Sequence, residues 1–343
     1  MRRLRFLRAP FSYFGGKSTI LREIFRWLPS PAARGTFVDA FTGGGSVALF
    51  AKAKGYRVLT NDLATRSYLV GQAFIVNDGV RLAPADIARL HVDRENDGRI
   101  ERSFAPTWFL PEHARWLDNA FAAVAGVEHP VKQALLTVIL VHAIFRLRPY
   151  DTFSRPAMPD RLETVREHGS KLHPEKVRWL LTRSPRRLTD GLLERVNAGV
   201  FSNGHQNEAH QRDVLEFLPA VQGDIAYFDP PYWGSNSYER LYSVLDEILE
   251  GAPRPVSRFN QTGAEQLLHK MLEAAGHIPF WAISFGGGKL SPEAFLELVQ
   301  KHRPSARLVP IRHRYRFGSA HRRERQDEIL VLAAAPGHEA LLP

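Results

Sequence analysis

The sequence predicts an α/β fold: a parallel sheet with a mostly helical insertion and a C-terminal β-hairpin. Three observations carry that expectation. Short apolar runs ending in small or acidic residues alternate with helix-like stretches. A long central segment repeats its apolar residues at helical spacing and contains no clear strand. Near the end, two apolar runs flank a basic connector.

The first run, Thr36-Phe37-Val38-Asp39-Ala40-Phe41, leads through Gly43-Gly44-Gly45-Ser46 into a helix-like stretch from Val47 to Lys54. The second, Tyr56-Arg57-Val58-Leu59-Thr60, leads through Asn61-Asp62 into a helix-like stretch reaching Val76. Asp224-Ile225-Ala226-Tyr227-Phe228 and Phe280-Trp281-Ala282-Ile283-Ser284 are further buried strands, the latter preceded by an amphipathic segment from Ala264 to Ala275. Strand–helix alternation of this kind builds a parallel sheet with right-handed crossovers. Between residues 78 and 198 the spacing is helical, as in Trp116-Leu117/Phe121/Val124 and Leu135/Ile139/His142. The expected domains are therefore 1–77 with 199–343, interrupted by a helical insertion over 78–198. Ala306 to Ile311 and Glu328 to Leu332 form the expected hairpin.

Composition narrows the function classes. The chain has 343 residues and is 44% hydrophobic, enough for a proper core. It contains no cysteine, which excludes disulfides, iron–sulfur clusters, cysteine-ligated zinc and cysteine nucleophiles. Fourteen histidines show no metal-ligand spacing, so no metal is expected. With 46 Lys and Arg against 36 Asp and Glu the net charge is +10, which favours a polyanionic partner; solubility alone is the plain alternative. The arginine-rich start is followed by no apolar signal core. The longest apolar stretch, Ala134 to Phe145, is far short of the ~20 residues that span a bilayer. A cytoplasmic, nucleoid-associated protein with no membrane partner is expected.

The most informative element is Asp229-Pro230-Pro231-Tyr232, directly after a strand, where open α/β sheets bind ligands. Its chance occurrence in a chain this long is roughly one in a thousand. The plain alternative is Pro-Pro ending a strand while Asp caps the next turn. The chemistry suits an exocyclic amine, whose lone pair is shared with an aromatic ring. Asp229 accepting one N–H and the Pro230 carbonyl accepting the other would draw that nitrogen toward tetrahedral geometry, and Tyr232 offers a face for stacking the base.

Three weaker elements accompany it. Asp39-Ala40-Phe41-Thr42-Gly43-Gly44-Gly45-Ser46 is a strand-to-helix glycine turn that lets a ligand approach the backbone, although Ala48 breaks the G-x-G-x-x-G dinucleotide pattern. Asp62 is placed to accept from ribose hydroxyls or, equally, to cap the following helix. Tyr13-Phe14-Gly15-Gly16-Lys17-Ser18 is not a phosphate-binding loop, and on spacing alone it is a turn capped by Ser18.

In this order, these elements resemble the Dam-type DNA adenine-N6 methyltransferases, the D12 class carrying DPPY with a target-recognition insert ahead of it. The resemblance implies a Rossmann-like S-adenosylmethionine-dependent methyltransferase sheet, with methyl transfer to N6 of a flipped adenine at a specific sequence in double-stranded DNA. It implies that Tyr13 and Lys17 lie at the methionine end of the cofactor S-adenosylmethionine. Asp39, Phe41, Gly43 and Gly45 would line it, Asp62 would hold the ribose, and Asp213 would face the adenine. Asp229 would touch both amine and cofactor, making Asp229, Pro230 and Tyr232 catalytic. Asp213 reads equally as a helix N-cap. Tyr13 stands where the family has tryptophan, and Asp39-Ala40 where it has Glu-Pro. Arg146, Arg148, Arg155, Arg183, Arg186 and Arg187 in the insert, with Arg314, Arg316, Arg322 and Arg323 in the hairpin connector, are the expected phosphate contacts.

Other readings stay open. Some ribosomal-RNA guanine-N2 methyltransferases carry the same tetrapeptide, but the Gly-Gly-Lys element and long insert speak against them. Cytosine-N4 methylation is disfavoured because serine is usual at the position of Asp229. A nucleic-acid-binding module without catalysis would be favoured by a broken Asp229 or glycine turn, and both are intact. A cognate restriction endonuclease is a partner the resemblance leaves open.

Overall fold

A computed structural model describes residues 16–32, 35–148, 153, 183–231, 238–252, 259, 263–285, 290–311 and 328–343. Its centre is a seven-stranded sheet in the order β3-β2-β1-β4-β5-β7-β6. The strands are β1 (Thr36–Asp39), β2 (Arg57–Asn61), β3 (Glu208–His210), β4 (Ile225–Phe228), β5 (Phe280–Phe285), β6 (Arg307–Ile311) and β7 (Glu328–Ala334). Pairings among the first five are parallel, and β7 runs antiparallel to both β5 and β6. The expected α/β class and terminal hairpin are therefore observed.

Burial explains the strand sequences. Ile225-Ala226-Tyr227-Phe228 and Phe280 to Phe285 are buried at every position, so both faces are covered and no polar alternation appears. The apolar residues of β1, β4 and β5 pack with Leu267, Leu268, Met271 and Leu272 into one core. The last four lie on an amphipathic helix, Ala264–Ala274.

Three local features differ from the sequence expectation. β3 was not expected, because Glu-Ala-His offers no apolar run; it is a short, half-exposed edge strand pairing Leu59 with Glu208. The helix toward Val76 is two pieces, α-helical over Thr65–Val70 and π-helical over Gly71–Val76. Ser18 does not cap the first helix, Leu21–Arg26, whose N-cap is Ile20 without a side-chain bond.

The chain divides into two compact units, one holding residues 72–202 and 240–254, the other 13–71, 203–239 and 255–343. The regular elements described in the first are helical. In it Pro130–Arg146 is a core helix whose residues 134–145 are all buried, which accounts for the longest apolar stretch. Arg99 donates to the carbonyls of Glu247 (3.1 Å) and Ile248 (2.6 Å), fastening the helix Tyr238–Glu250 to this unit. No helix among the described residues is long and apolar enough to cross a membrane.

The second unit contains the sheet. Strand order reverses between β1 and β4, and ligands of open α/β sheets bind outside the carboxyl ends at that point. Asp39 ends β1 and Asp229 follows β4. The intervening turn is shaped by glycine: Gly43 and Gly45 have φ of +50° and +74°. A Cβ on Gly45 would stand 2.5 Å from Val70 Cγ1. Gly45→Ala is therefore expected to destabilise the protein by about 1–3 kcal/mol, measured by urea denaturation; an unchanged midpoint would show that the turn does not need this backbone.

Candidate active site

Each residue at the carboxyl edge is positioned by the sheet's own hydrogen bonds. Asp62, just past β2, accepts from the Gly43 amide (2.8 Å) through one oxygen and from the Ala64 amide (2.9 Å) through the other. The glycine turn and the acidic strand end thus clamp each other. Thr42 adds two bonds to the Asn61 carbonyl, from its amide (2.9 Å) and its hydroxyl (3.0 Å). Asn61 exchanges side-chain bonds with the backbone of Arg212, 3.1 Å each way, which brings Asp213 to the same edge. Asp213 caps the helix Val214–Phe217, accepting from the Leu215 amide at 2.9 Å. Of its two sequence readings, the capping one is directly visible. Phe41 is half-buried and packs edge-on against Phe259, ring centres 5.5 Å apart.

The interaction that the sequence did not reveal joins Lys17 to Asp229. Nζ donates to both carboxylate oxygens, at 2.9 and 2.8 Å. Lys17 is 3% exposed and Asp229 22% exposed, so the pair is largely withdrawn from water while the carboxylate keeps some contact with solvent. Lys17 stands on Asp229. Pro230 is buried directly behind Asp229.

Asp39 is the unusual group. It is 1% exposed, and one oxygen accepts a long bond (3.3 Å) from the Phe41 amide while the other makes none. Burial pushes its carboxyl up to about 8, and the charges of Asp229 and Asp62 push the same way; the amides of Phe41 and Ala48 pull it down. Burial thus favours the neutral form of this carboxyl.

The charged residues fall into three groups. Arg146, Arg186 and Arg187 are exposed. Arg183 is half-buried, donating a long bond to the Arg146 carbonyl. Arg148 is a correction: it is 1% exposed, its guanidinium lying 3.7 Å from the Phe153 ring centre and 5.1 Å from that of Trp108. A cation held between aromatic faces serves packing and is not placed to grip phosphate. Tyr13, Tyr232, Arg155, Arg314, Arg316, Arg322 and Arg323 lie outside the described residues. No cluster of three potential metal ligands occurs among the described residues.

Comparison with known proteins bears on this geometry. The family model described as D12 class N6 adenine-specific DNA methyltransferase matches residues 13–99, which include Lys17, Asp39, the glycine turn and Asp62. Over that stretch the chain is similar to the D12 class of N6 adenine-specific DNA methyltransferases. It is 26% identical to the type II methyltransferase M2.HphI of Haemophilus parahaemolyticus over 333 residues, 94% of this chain and 96% of that protein. It is 28% identical to the modification methylase StsI of Streptococcus sanguinis over 254 residues, 69% of this chain and 36% of that protein. The chain is a methyltransferase, and both relatives' names are those of methylating enzymes.

The raised Asp39 carboxyl has a consequence for stability. Between about pH 4 and about pH 8 the folded enzyme holds a proton there that the unfolded chain has lost, so stability falls as pH rises through that window. Asp39→Asn is expected to flatten the decline, leaving the ligand-free variant more stable than wild type at pH 8 but not at pH 4. Thermal melts at the two pH values check this; parallel wild-type and variant curves would show that Asp39 is not buried neutral.

Proposed function

We propose that this enzyme transfers a methyl group from S-adenosylmethionine to N6 of an adenine flipped out of double-stranded DNA at a specific sequence. The observation that carries the reading is the Lys17–Asp229 pair beside the Asp39 turn, at the point where strand order reverses. The residues present fit that cofactor. Gly43 and Gly45 give a backbone without side chains, and Asp39 has a buried oxygen with no donor, suited to a cationic ligand. When bound, S-adenosylmethionine supplies a methyl group on a positively charged sulfur.

The chain's own residues do the rest. Lys17 fixes the Asp229 carboxylate from one side and neutralises part of its charge. The partly exposed Asp229 carboxylate accepts one N–H of the target amine, and the Pro230 carbonyl accepts the other. The two acceptors would orient the nitrogen lone pair toward the donor's methyl group. Tyr232 stacks on the extruded base. Asp62 accepts from the ribose, and Asp213, beyond its capping bond, faces the adenine of the cofactor.

Residues 78–198 form the target-recognition insertion in this proposal. Arg146, Arg186 and Arg187 in it, with Arg155, Arg314, Arg316, Arg322 and Arg323, take phosphates. The relatives' names place them in restriction–modification chemistry, which makes a cognate endonuclease a fitting partner and the cytoplasm a fitting place.

The decisive assay incubates labelled S-adenosylmethionine with DNA and identifies the methylated nucleoside; N6-methyladenine is expected, and label on cytosine or on RNA alone would refute the reading. Asp229→Asn should slow methyl transfer at least about a hundredfold with the fold intact by circular dichroism; near-normal turnover would remove Asp229 from the chemistry. Replacing Arg186 and Arg187 with glutamine should reduce the slope of log affinity against log salt by about two, whereas an unchanged slope places the phosphate contacts elsewhere.

A further inference from the structure

A carboxyl oxygen buried without a donor costs free energy, and a structural carboxylate would be matched by a cation or by amides. Asp39 is matched only in part, by the Phe41 amide at 3.3 Å and the nearby Ala48 amide, with no cation on it. Of its two oxygens only one is hydrogen-bonded, and the residue is 1% exposed. The charged and titratable groups on every element around it fail to supply a counter-charge. β2 leads to Asp62, and β4 brings Tyr227 in register with Asp39 and then Asp229. The helix Ser46–Lys54 brings the Ala48 amide and no acidic or basic side chain in its first turn. The ammonium of Lys17 is held on both oxygens of Asp229. The two nearby carboxylates, Asp62 and Asp229, carry the same sign that an ionised Asp39 would have.

A site of this kind holds a neutral acid when empty and rewards the arrival of positive charge. S-adenosylmethionine carries two cationic centres, the sulfonium and the α-ammonium, and the product S-adenosylhomocysteine retains only the ammonium. We propose that Asp39 is protonated in the free enzyme and gives up its proton when a cationic centre of the cofactor comes to lie against its unbonded oxygen. This deepens, and rests on, the reading of S-adenosylmethionine as methyl donor. The balance is simple: the O–H bond of the Asp39 carboxyl breaks, the carboxylate remains paired with the ligand cation, and the proton passes to the buffer. No oxidant, metal or covalent intermediate takes part.

Burial that favours the neutral acid then acts against any ligand that cannot repay ionisation with charge. The enzyme thus measures the charge of what it binds, and its affinity becomes linked to pH. Between pH 6 and pH 7, below the titration of the cofactor's own α-amino group, binding should strengthen about tenfold.

The test is calorimetric titration of the whole enzyme with S-adenosylmethionine at pH 6.5, in buffers of different ionisation enthalpy. About one proton released per cofactor bound is expected, and Asp39→Asn should release none. S-adenosylhomocysteine distinguishes the two cationic centres. Release with the methylated cofactor alone assigns the sulfonium, and equal release with both assigns the ammonium. Binding of S-adenosylmethionine with no buffer-dependent heat, or undiminished release from Asp39→Asn, overturns the proposal and leaves the methyltransferase reading standing. Failure of the wild-type enzyme to bind S-adenosylmethionine at all overturns both. Should Asp39→Asn not fold, the wild-type proton count and its pH dependence decide alone.

Discussion

Lys17 and Asp229 are 212 residues apart in the chain, and their side chains meet at 2.8 Å with the lysine almost entirely out of water. A buried ammonium without a partner is costly, so each group depends on the other being there. The pair requires the segment before the first helix to lie over the carboxyl end of β4. It requires β4 to end where it does, and Pro230 stiffens the backbone beyond that end. A carboxylate fixed by a cation and still partly exposed is a directional acceptor. Exocyclic amine chemistry asks for such an acceptor, because the nitrogen must be held and its lone pair turned before it becomes nucleophilic.

Around that pair the sheet edge carries more negative than positive charge. Asp39, Asp62 and Asp229 approach one another with Lys17 as the cation among them, and the structure resolves the repulsion in different ways. Asp229 takes the lysine. Asp62 takes two backbone amides, Gly43 and Ala64. Asp39 has one long bond to an amide, and burial favours its neutral form. One edge thus holds a lysine-paired Asp229, an amide-bound Asp62 and a buried Asp39 with one oxygen unbonded, three surroundings for one residue type. A cationic cofactor completes that set in a way a neutral one does not.

Much of the fold was legible from local pattern. Ile225 to Phe228 and Phe280 to Phe285 are apolar throughout because both sheet faces are covered, and such runs announce themselves. Glu208-Ala209-His210 did not, because an edge strand needs backbone partners more than apolar side chains. The glycine turn and Asp62 were readable as neighbours in space, since a βαβ unit brings consecutive strand ends together. The Lys17–Asp229 pair was not, since nothing in either tetrapeptide encodes a contact across most of the chain. Arg148 was misread for a related reason: an arginine among other arginines looks solvated, and only Trp108 and Phe153 reveal that it is buried. Asp39 belongs to a recognisable motif, but its missing donor is a property of the folded surroundings.

The central claim is that Lys17 acts through Asp229 on the reacting amine, and a double-mutant cycle addresses it most directly. Single-turnover methyl transfer is measured for wild type, Lys17→Met, Asp229→Asn and the combined variant. If the two groups work as one unit, the combined variant is about as slow as Asp229→Asn alone. If the losses multiply, Lys17 serves some other contact and the account of this active site is wrong.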